Sequence, residues 1–287
     1  MSATMLPAAI DRVIQRALEE DVPFGDLTTE SFVPEGTSAE AVLRAREAGV
    51  FSGAEVLRRA MSALNDDVVV VPHLQDGERF TAGAELARIT GPAWPILTGE
   101  RTALNLVQRM SGVATVTADY VSAVAGFGAR ITDTRKTTPG LRALERYAVR
   151  CGGGHNHRFG LSDAVMAKDN HLAALSKQGI GLSEAIARAR GRLPHTVHIE
   201  VEVDRLDQVD AALEGGADTI MLDNFSLSEL RRGVELIAGR AQVEASGGIT
   251  LNTVAEIAAT GVDVISVGAL THSVRALDLG VDFEVRG

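Results

Sequence analysis

The chain has few aromatic residues, and its charge is predominantly acidic. Of its 287 residues, 4% are aromatic; Asp and Glu number 38 against 28 Lys and Arg, which gives a formal net charge of −10. Duplex nucleic acid is bound by a broad basic face, and single strands stack on aromatic side chains. The composition therefore argues against a nucleic-acid partner.

Long apolar runs and paired cysteines are also missing. The longest apolar runs, such as residues 262–267, are far shorter than the roughly 20 residues of a membrane span. The first residues lack the basic and apolar regions of a secretory signal. Cys151 has no second cysteine with which to form an internal disulfide. We therefore expect a cytoplasmic protein with no membrane partner and no disulfide framework.

What the sequence does contain is a local reversal of charge. Residues 130–171 hold eight Lys or Arg against four Asp or Glu, interspersed with glycines and threonines. Cationic side chains beside hydroxyls and exposed backbone N–H groups are typical of sites for phosphates and carboxylates. This stretch predicts a pocket for a polyanionic small molecule.

Two patterns of secondary structure follow one another along the chain. The first part mixes helices and strands without regular alternation, which is typical of an α+β unit with an antiparallel sheet. A long helical region then runs to residue 124, with a break expected at Ser111-Gly112. From residue 129 onward, strands and helices alternate, which predicts a parallel sheet with right-handed crossovers. Its six predicted strands are residues 129–132, 164–167, 197–203, 219–222, 241–245 and 262–267.

Six strands are fewer than the eight of a complete α/β barrel, so a reduced barrel and an open doubly wound sheet are the two candidates. No Gly-x-Gly-x-x-Gly motif follows the first of these strands, which favours the barrel. We predict an N-terminal domain over residues 1–112 and an incomplete barrel over residues 113–274. Residues 275–287 contain a strand-like alternation that can return to the N-terminal sheet.

In α/β barrels the residues that act on a substrate lie at the carboxyl ends of the strands. Polar or glycine residues stand at the end of each predicted strand, which random scatter would rarely produce. The candidates taken in chain order are Arg135, Lys136, Thr137, Lys168, Glu202, Asp223, Ser246, Gly247, Gly248 and Gly268.

The chemistry of these residue types suggests how they divide the work. Residues 246–248 and Gly268 suit a phosphate held by backbone N–H groups, although tight turns would need the same glycines. Arg135 suits bidentate contact with a carboxylate or phosphate, and Lys136 supplies a point charge; the alternative is a solvated basic turn. Lys168 either holds an anion or forms a Schiff base as in aldolases.

Two carboxylates stand among these cations. Glu202 and Asp223 end neighbouring strands, so we expect them to lie close together. They suit either Mg²⁺ carried with a polyphosphate or the stabilisation of positive charge on a sugar ring. Structural ion pairs with Arg135 or Lys168 are the alternative.

A glycine-rich loop supplies two more donors. Residues 152–154 are consecutive glycines that allow a close approach to a ligand, and His157 and Arg158 follow them. Cys151, His155 and His157 do not have the spacing of a zinc site. We therefore predict anion binding by this loop and no zinc.

Six ordered motifs together resemble a known family. They are TDTRKTTPGLR at residues 132–142, CGGGHNHRFGL at 151–161, KDNH at 168–171, EVEV at 200–203, MLDNF at 221–225 and SGGI at 246–249. With ERTALN at residues 100–105, they closely resemble the quinolinate phosphoribosyltransferases over nearly the whole chain.

The resemblance implies an N-terminal α/β sandwich followed by an incomplete α/β barrel of six to seven strands. It implies that quinolinate and phosphoribosyl pyrophosphate react, with Mg²⁺ as cofactor, to give nicotinate mononucleotide, pyrophosphate and CO₂ in de novo NAD synthesis. It also implies a homodimer that can assemble further, in which Arg101 reaches the site of the neighbouring subunit.

The resemblance further assigns roles to the candidates. Arg135, His157 and Arg158 would bind the carboxylates of quinolinate. Lys136 and Lys168 would lie near the reacting substrates as catalytic residues. Glu202 and Asp223 would face the ribose and the Mg²⁺, directly or through water. The residues that would complete the substrate-binding set, with the 5-phosphate held by the serine and glycines, are Thr137, Ser246, Gly247, Gly248 and Gly268.

Two other functions remain open on the residues alone. A Schiff-base aldolase or lyase for sugar phosphates would use Lys168 on the same barrel. A non-catalytic anion-binding protein, or a transferase for a different base, would keep the cations without releasing CO₂ from quinolinate.

Overall fold

The computed structural model describes residue 5 and residues 7–286, and it divides into two compact units. The first comprises Met1–Ala118, Thr137–Gly153 and Leu270–Gly287, and the second comprises Asp119–Lys136 and Gly154–Ala269. Within the described residues, no helix combines the length and the apolar character that crossing a membrane requires.

The first unit is built on a four-stranded antiparallel sheet in the order β12-β1-β5-β3. Along β1, alternate residues are buried, from Ala39 to Ala45. This period of two places one face of the strand on the core and the other toward solvent. The strands of the unit are β1 Ser38–Ala45, β2 Gly49–Val50, β3 Val69–Pro72, β4 Arg79–Phe80, β5 Glu85–Pro92 and β12 Leu279–Arg286.

The end of the chain returns to this sheet. β12 pairs with β1 in an antiparallel register that runs from Ser38 opposite Arg286 to Ala45 opposite Leu279. The helices that accompany the sheet are α1 Pro7–Asp21, α2 Leu27–Phe32, α3 Ala54–Ser62, α4 Ala93–Ala123, α5 Arg142–Cys151 and the short α11 Ala269–His272.

The expected break in α4 does not occur, and the helix continues through Ser111 and Gly112. A Cβ atom on Gly112 would lie 2.3 Å from the carbonyl oxygen of Arg275. The glycine is therefore explained by the close approach of the segment before β12. Its low helix propensity is outweighed by this packing.

A buried ion pair fixes the start of α5. Glu145 has no exposed surface, and its carboxylate accepts hydrogen bonds from Arg109 at 2.8 Å and from the amide and hydroxyl of Thr138 at 3.0 and 2.7 Å. These bonds hold the chain directly before the helix. A buried carboxylate with this many donors is stable because its charge is compensated on several sides.

The second unit contains a six-stranded parallel sheet in the order β6-β11-β10-β9-β8-β7. The strands are β6 Arg130–Thr132, β7 Val165–Ala167, β8 Ile199–Val203, β9 Thr219–Asp223, β10 Gln242–Ser246 and β11 Val264–Ser266. The intervening helices are α6 Asp169–Ser176, α7 Leu182–Arg190, α8 Val209–Gly215, α9 Leu227–Ile237 and α10 Val254–Ala258. With β6 and β7 as edge strands, the sheet is an incomplete α/β barrel, which confirms the predicted fold and its six strands.

The register of this sheet places its carboxyl ends side by side. Ser246 pairs with Asp223 across β10 and β9, and Glu202 pairs with Met221 across β8 and β9. Because the strands are parallel, the loops after them emerge at the same edge. Residues distant in sequence therefore meet there.

The N-cap of α2 gives a test of the first unit. The Asp26 carboxylate accepts hydrogen bonds from the amides of Thr28 and Thr29 at 3.1 and 3.0 Å and from the hydroxyl of Thr98 at 2.9 Å. Asp26→Ala is expected to lower the free energy of unfolding by about 1–2 kcal/mol at pH 7. Urea unfolding followed by circular dichroism measures this change.

The effect should depend on pH with a defined sign. Hydrogen bonds, first that of the Thr29 hydroxyl, lower the pKa of Asp26 from 3.8. The stabilisation is therefore present above 3.8 and is lost as the pH falls through the lowered pKa. Asp26→Asn, which keeps an oxygen for the cap, is the matched control. Equal unfolding midpoints for the alanine variant and the unmodified protein at pH 7 would contradict the assignment.

Candidate active site

A cavity of about 440 Å³ lies at the carboxyl edge of the parallel sheet, and its lining residues all belong to the second unit. Eight of the thirteen predicted site residues line it. They are Arg135, Lys136, His157, Arg158, Lys168, Glu202, Asp223 and Ser246. The structure thus brings together residues from the ends of β6, β7, β8, β9 and β10 and from the glycine-rich loop.

The first cationic segment reaches the cavity through a turn. The hydroxyl of Thr134 accepts a hydrogen bond from the amide of Lys136 at 3.1 Å, and Thr134, Arg135 and Lys136 all contribute to the lining. On an extended strand, adjacent side chains would point to opposite faces. The turn instead allows both cations to face the cavity.

Two guanidinium groups influence each other in this cavity. Burial, followed by repulsion from Arg135, lowers the pKa of Arg158. Arg remains charged in proteins, so the two like charges are held near one another. A bound anion would relieve this repulsion, because a carboxylate accepts two parallel hydrogen bonds from a guanidinium.

Lys168 and Glu202 form an ion pair on another wall. The Nζ atom of Lys168 lies 2.6 Å from Oε2 of Glu202. The amine of Lys168 is thus engaged by a carboxylate inside the protein. A Schiff base requires a free amine as nucleophile, so this pairing disfavours the aldolase function.

Asp223 and the turn after β10 are tightly joined. The side-chain amide of Asn224 donates to the Asp223 carboxylate at 2.6 Å. Its backbone amide donates to the carbonyl of Ser246 at 2.9 Å. Gly247 has φ of 91°, and a Cβ atom there would lie 2.2 Å from Oδ1 of Asn224. Glycine is required at this position by both the backbone angle and the space.

Glu202 and Asp223 also provide the chemistry for a metal. Both carboxylates line the cavity, and oxygen atoms are the ligands that Mg²⁺ prefers. The residues therefore fit the predicted cofactor, whose presence stays a prediction.

Both ring nitrogens of His157 lie close to polar groups of the protein. Its Nε2 atom lies 3.1 Å from Glu200 and 3.3 Å from Glu244, two carboxylates that are almost fully buried. Its Nδ1 atom accepts the amide N–H of Arg158 at 2.8 Å. Both ring nitrogens thus have partners inside the protein. Contact between this side chain and a substrate carboxylate stays a prediction.

The buried glutamates orient the imidazole. Burial opposes its charge, but the hydrogen bonds to Glu200 and Glu244 outweigh that effect and raise the pKa of His157 to about 10. The hydrogen bond that the backbone amide of Arg158 donates to Nδ1 requires a lone pair on that nitrogen and so favours the neutral ring. In either state a proton on Nε2 is directed toward the two carboxylates. Burial raises the pKa of Glu200.

The cluster of His157, Glu200 and Glu244 presents ligand atoms within 4.8 Å of one another, as a metal site also would. Sequence spacing did not indicate this group, because its members lie on the loop, β8 and β10. The signal that existed was the position of the two glutamates within predicted strands of the same sheet, β8 and β10, which are separated by β9.

Ser266 is a residue that sequence reasoning left without a role. It ends β11, lines the cavity and is buried. Its Oγ atom has no hydrogen-bond partner among the described residues. Ser266 therefore borders the cavity with a buried hydroxyl that has no partner in the described part of the chain, and its place at a strand end was the signal.

The other five predicted residues lie outside this lining. Gly247, Gly248 and Gly268 follow β10 and β11. Thr137 belongs to the first unit and accepts a hydrogen bond from Arg142 at 3.0 Å. Arg101, on α4 in the first unit, has a side chain that is 63% exposed. The roles predicted for these residues stay predictions.

The chain matches two family models in succession, the N-terminal domain of quinolinate phosphoribosyl transferase over residues 26–111 and the C-terminal domain over residues 113–282. It is 46% identical to the carboxylating nicotinate-nucleotide pyrophosphorylase of Mycobacterium leprae over 94% of this chain and 95% of that protein.

Solved structures give the same result. NadC from Streptococcus pyogenes is 41% identical, with a TM-score of 0.94 and full coverage of both chains. The nicotinate-nucleotide pyrophosphorylase from Francisella tularensis is 36% identical, with a TM-score of 0.92 and 98% coverage of both. The protein therefore belongs to the quinolinate phosphoribosyl transferase family.

Proposed function

We propose that this protein transfers the phosphoribosyl group of phosphoribosyl pyrophosphate to quinolinate with loss of CO₂. The products are nicotinate mononucleotide, pyrophosphate and CO₂, a step of NAD synthesis. The observation that carries the proposal is a single cavity in which four cations and two carboxylates meet. The relatives named for this reaction support it.

The two guanidinium groups suit the dicarboxylate substrate. Quinolinate carries two adjacent carboxylates, and Arg135 and Arg158 are held close enough for their charges to interact. Bidentate contacts fix a planar carboxylate in orientation as well as position. Such contacts would set the ring nitrogen of quinolinate toward the ribose. Orientation of two reactants can supply several kcal/mol of the barrier reduction.

The carboxylates suit the ribose. Departure of pyrophosphate passes through an oxocarbenium-like state, whose positive charge a nearby carboxylate stabilises. Glu202 and Asp223 line the cavity and carry the negative charge that this stabilisation requires. Mg²⁺, when bound by these carboxylates directly or through water, would neutralise charge on the leaving pyrophosphate.

The turns after the last two strands suit the 5-phosphate. Gly247 and Gly248 have φ of 91° and 60°, and successive amides in such turns can form a concave anion site. Ser246 lines the cavity, and Gly268 follows two residues after the end of β11. Phosphate sites of α/β barrels commonly occupy this position.

Loss of CO₂ leaves electron density beside the ring nitrogen, which nearby cations stabilise. Lys136 and Lys168 both line the cavity and are the candidates for this task. The aldolase alternative for Lys168 is not supported, because its amine is paired with Glu202 and the relatives are named for phosphoribosyl transfer.

The assembly is part of the proposal. We infer a homodimer that can associate further, in which Arg101 enters the site of the neighbouring subunit. The side chain of Arg101 is 63% exposed and is not among the residues that line the cavity, which supports a role in the site of a neighbouring subunit.

Incubation with quinolinate, phosphoribosyl pyrophosphate and Mg²⁺ tests the reaction. We expect equal amounts of CO₂ and nicotinate mononucleotide, measured with carboxyl-labelled quinolinate and by chromatography. Chelation of Mg²⁺ should suppress both products. Binding of quinolinate without CO₂ release would instead indicate a non-catalytic protein or a transferase for another base.

Lys136→Ala is expected to lower kcat by at least about 100-fold, because a cation positioned at developing charge contributes several kcal/mol in a water-poor site. The far-ultraviolet circular dichroism should not change. Lys177→Ala, which removes an exposed lysine, is the matched control and should retain full turnover. Normal turnover of Lys136→Ala on quinolinate would refute a catalytic role.

Mixing of two inactive variants tests the shared site. If Arg101 acts in the neighbouring subunit, mixed dimers of Arg101→Ala and Lys136→Ala contain one site with both native residues. Activity should return to about one quarter of the unmodified level after random exchange. Subunit exchange is verified by native mass spectrometry. Absence of recovery after verified exchange would place Arg101 in the site of its own chain.

A further inference from the structure

Asp133 is the most deeply buried acidic residue of the second unit, with no exposed surface. It follows directly after β6 and comes two residues before Arg135. It does not contribute to the lining of the cavity. A carboxylate with these properties cannot contact the substrates, so its interactions must be within the protein.

Both oxygens of this carboxylate bind the glycine-rich loop. Oδ1 accepts the amide N–H of His157 at 2.7 Å, and Oδ2 accepts the side-chain amide of Asn156 at 2.6 Å. Hydrogen bonds to an ionised acceptor are shorter and stronger than those between neutral groups. Asp133 therefore joins the end of β6 to Asn156 and His157, which lie 23 and 24 residues later in the sequence.

The backbone continues the same contact. The amide of His155 donates to the carbonyl of Ile131 at 2.8 Å, and the amide of Asp133 donates to the carbonyl of His155 at 3.2 Å. Thr132 and His155 form a parallel bridge. The loop thus runs beside the edge strand β6, and the carboxylate of Asp133 holds it where the strand ends.

The side chain of His157 is held by residues on interior strands of the sheet. The ring of His157 lies 3.1 and 3.3 Å from Glu200 on β8 and Glu244 on β10. The backbone of His157 is thus fixed to the end of β6 and its side chain to two central strands. The residue that follows, Arg158, leaves this anchored point and enters the cavity.

The need for this anchoring comes from charge. Arg135 and Arg158 line the same cavity, and the positive charge of Arg135 contributes to the lowered pKa of Arg158. Without an attachment between the segments, repulsion would separate the two guanidinium groups whenever the anion is absent.

We propose that Asp133 is a positioning residue for quinolinate: it clasps residues 156–157 to the end of β6, so that Arg135 and Arg158 are set at the spacing that two adjacent carboxylates require. This inference rests on the proposed function. The clasp serves the dicarboxylate and not the phosphoribosyl group, since the turn after β10 takes no part in it.

An exchange of the two side chains tests the clasp. In Asp133→Asn, an amide faces the donor of Asn156; in Asn156→Asp, two carboxylates face each other. The double variant Asp133→Asn/Asn156→Asp restores one donor and one acceptor, and the new Asn can still accept the amide of His157. If the single variants act by general disruption of the structure, the exchange will not restore quinolinate binding. If they act by loss of the hydrogen bond between residues 133 and 156, the exchange will restore it.

Steady-state kinetics provide the first measurement. Each single variant is expected to raise KM for quinolinate about 10- to 100-fold, while KM for phosphoribosyl pyrophosphate changes by less than about threefold. The double variant should recover KM for quinolinate to within about fivefold of the unmodified value. The matched control is Asp263→Asn, which alters a carboxylate that accepts a backbone amide at the opposite end of the sheet. It should leave both KM values unchanged.

Three results would overturn the proposal. They are an unchanged KM for quinolinate in the single variants, an equal rise in both KM values, or a folded double variant no better than the single ones. If the single variants do not fold, Asn156→Ala replaces them, because it removes one hydrogen bond without opposing like groups. The same KM criterion then decides.

Hydrogen exchange separates this inference from the proposed function, because it needs no turnover. Peptides that cover residues 154–158 should exchange faster in Asp133→Asn and regain protection in the double variant. An unmodified protein that releases no CO₂ would refute the proposed function and leave this comparison valid. Equal protection of the loop in all variants would refute the clasp.

Discussion

The candidate active site depends on keeping like charges together. Arg135, Lys136, Arg158 and Lys168 line one cavity, and each of them raises the electrostatic energy of the others. Repulsion between two close cations is of the order of 4 kcal/mol at an effective dielectric constant of 20. A hydrogen bond to a charged group contributes about 1.5–3 kcal/mol. Several such bonds are therefore needed to hold the cations in place before any substrate arrives.

Carboxylates behind and beside the cavity supply those bonds. Asp133 attaches the glycine-rich loop, Glu200 and Glu244 orient His157, and Glu202 pairs with Lys168. This arrangement is preorganised, since the positive potential exists without reorganisation when the anionic substrates bind. It also explains how a chain with a net charge of −10 can bind two polyanions.

The parallel sheet is the support on which these groups are placed. Its core strands are filled by apolar residues such as Val201, Ile220 and Ile265, which are completely buried. Their packing fixes the strand ends, and each loop then carries its polar residues to the same edge. Close approaches such as that of Gly247 to Asn224 leave no room for a side chain. The precision of the site therefore comes from the sheet and its turns, while the chemistry comes from the loops.

By itself the sequence determined the fold class, the six parallel strands and most of the cavity lining. Hydrophobic runs of strand length, alternating with helical periodicity, are local signals, and polar residues at strand ends follow from barrel geometry. The register that brings Ser246 beside Asp223 was not available from such signals. Neither was the continuity of α4, because the need for Gly112 arises from a segment more than 160 residues later, at Arg275. Only the tertiary structure decided how the buried acids pair with the cationic segments. Asp133, just after β6, binds the backbone of His157, and Glu244 on β10 binds its ring. Contacts between residues so distant in sequence depend on packing, which local sequence patterns do not encode.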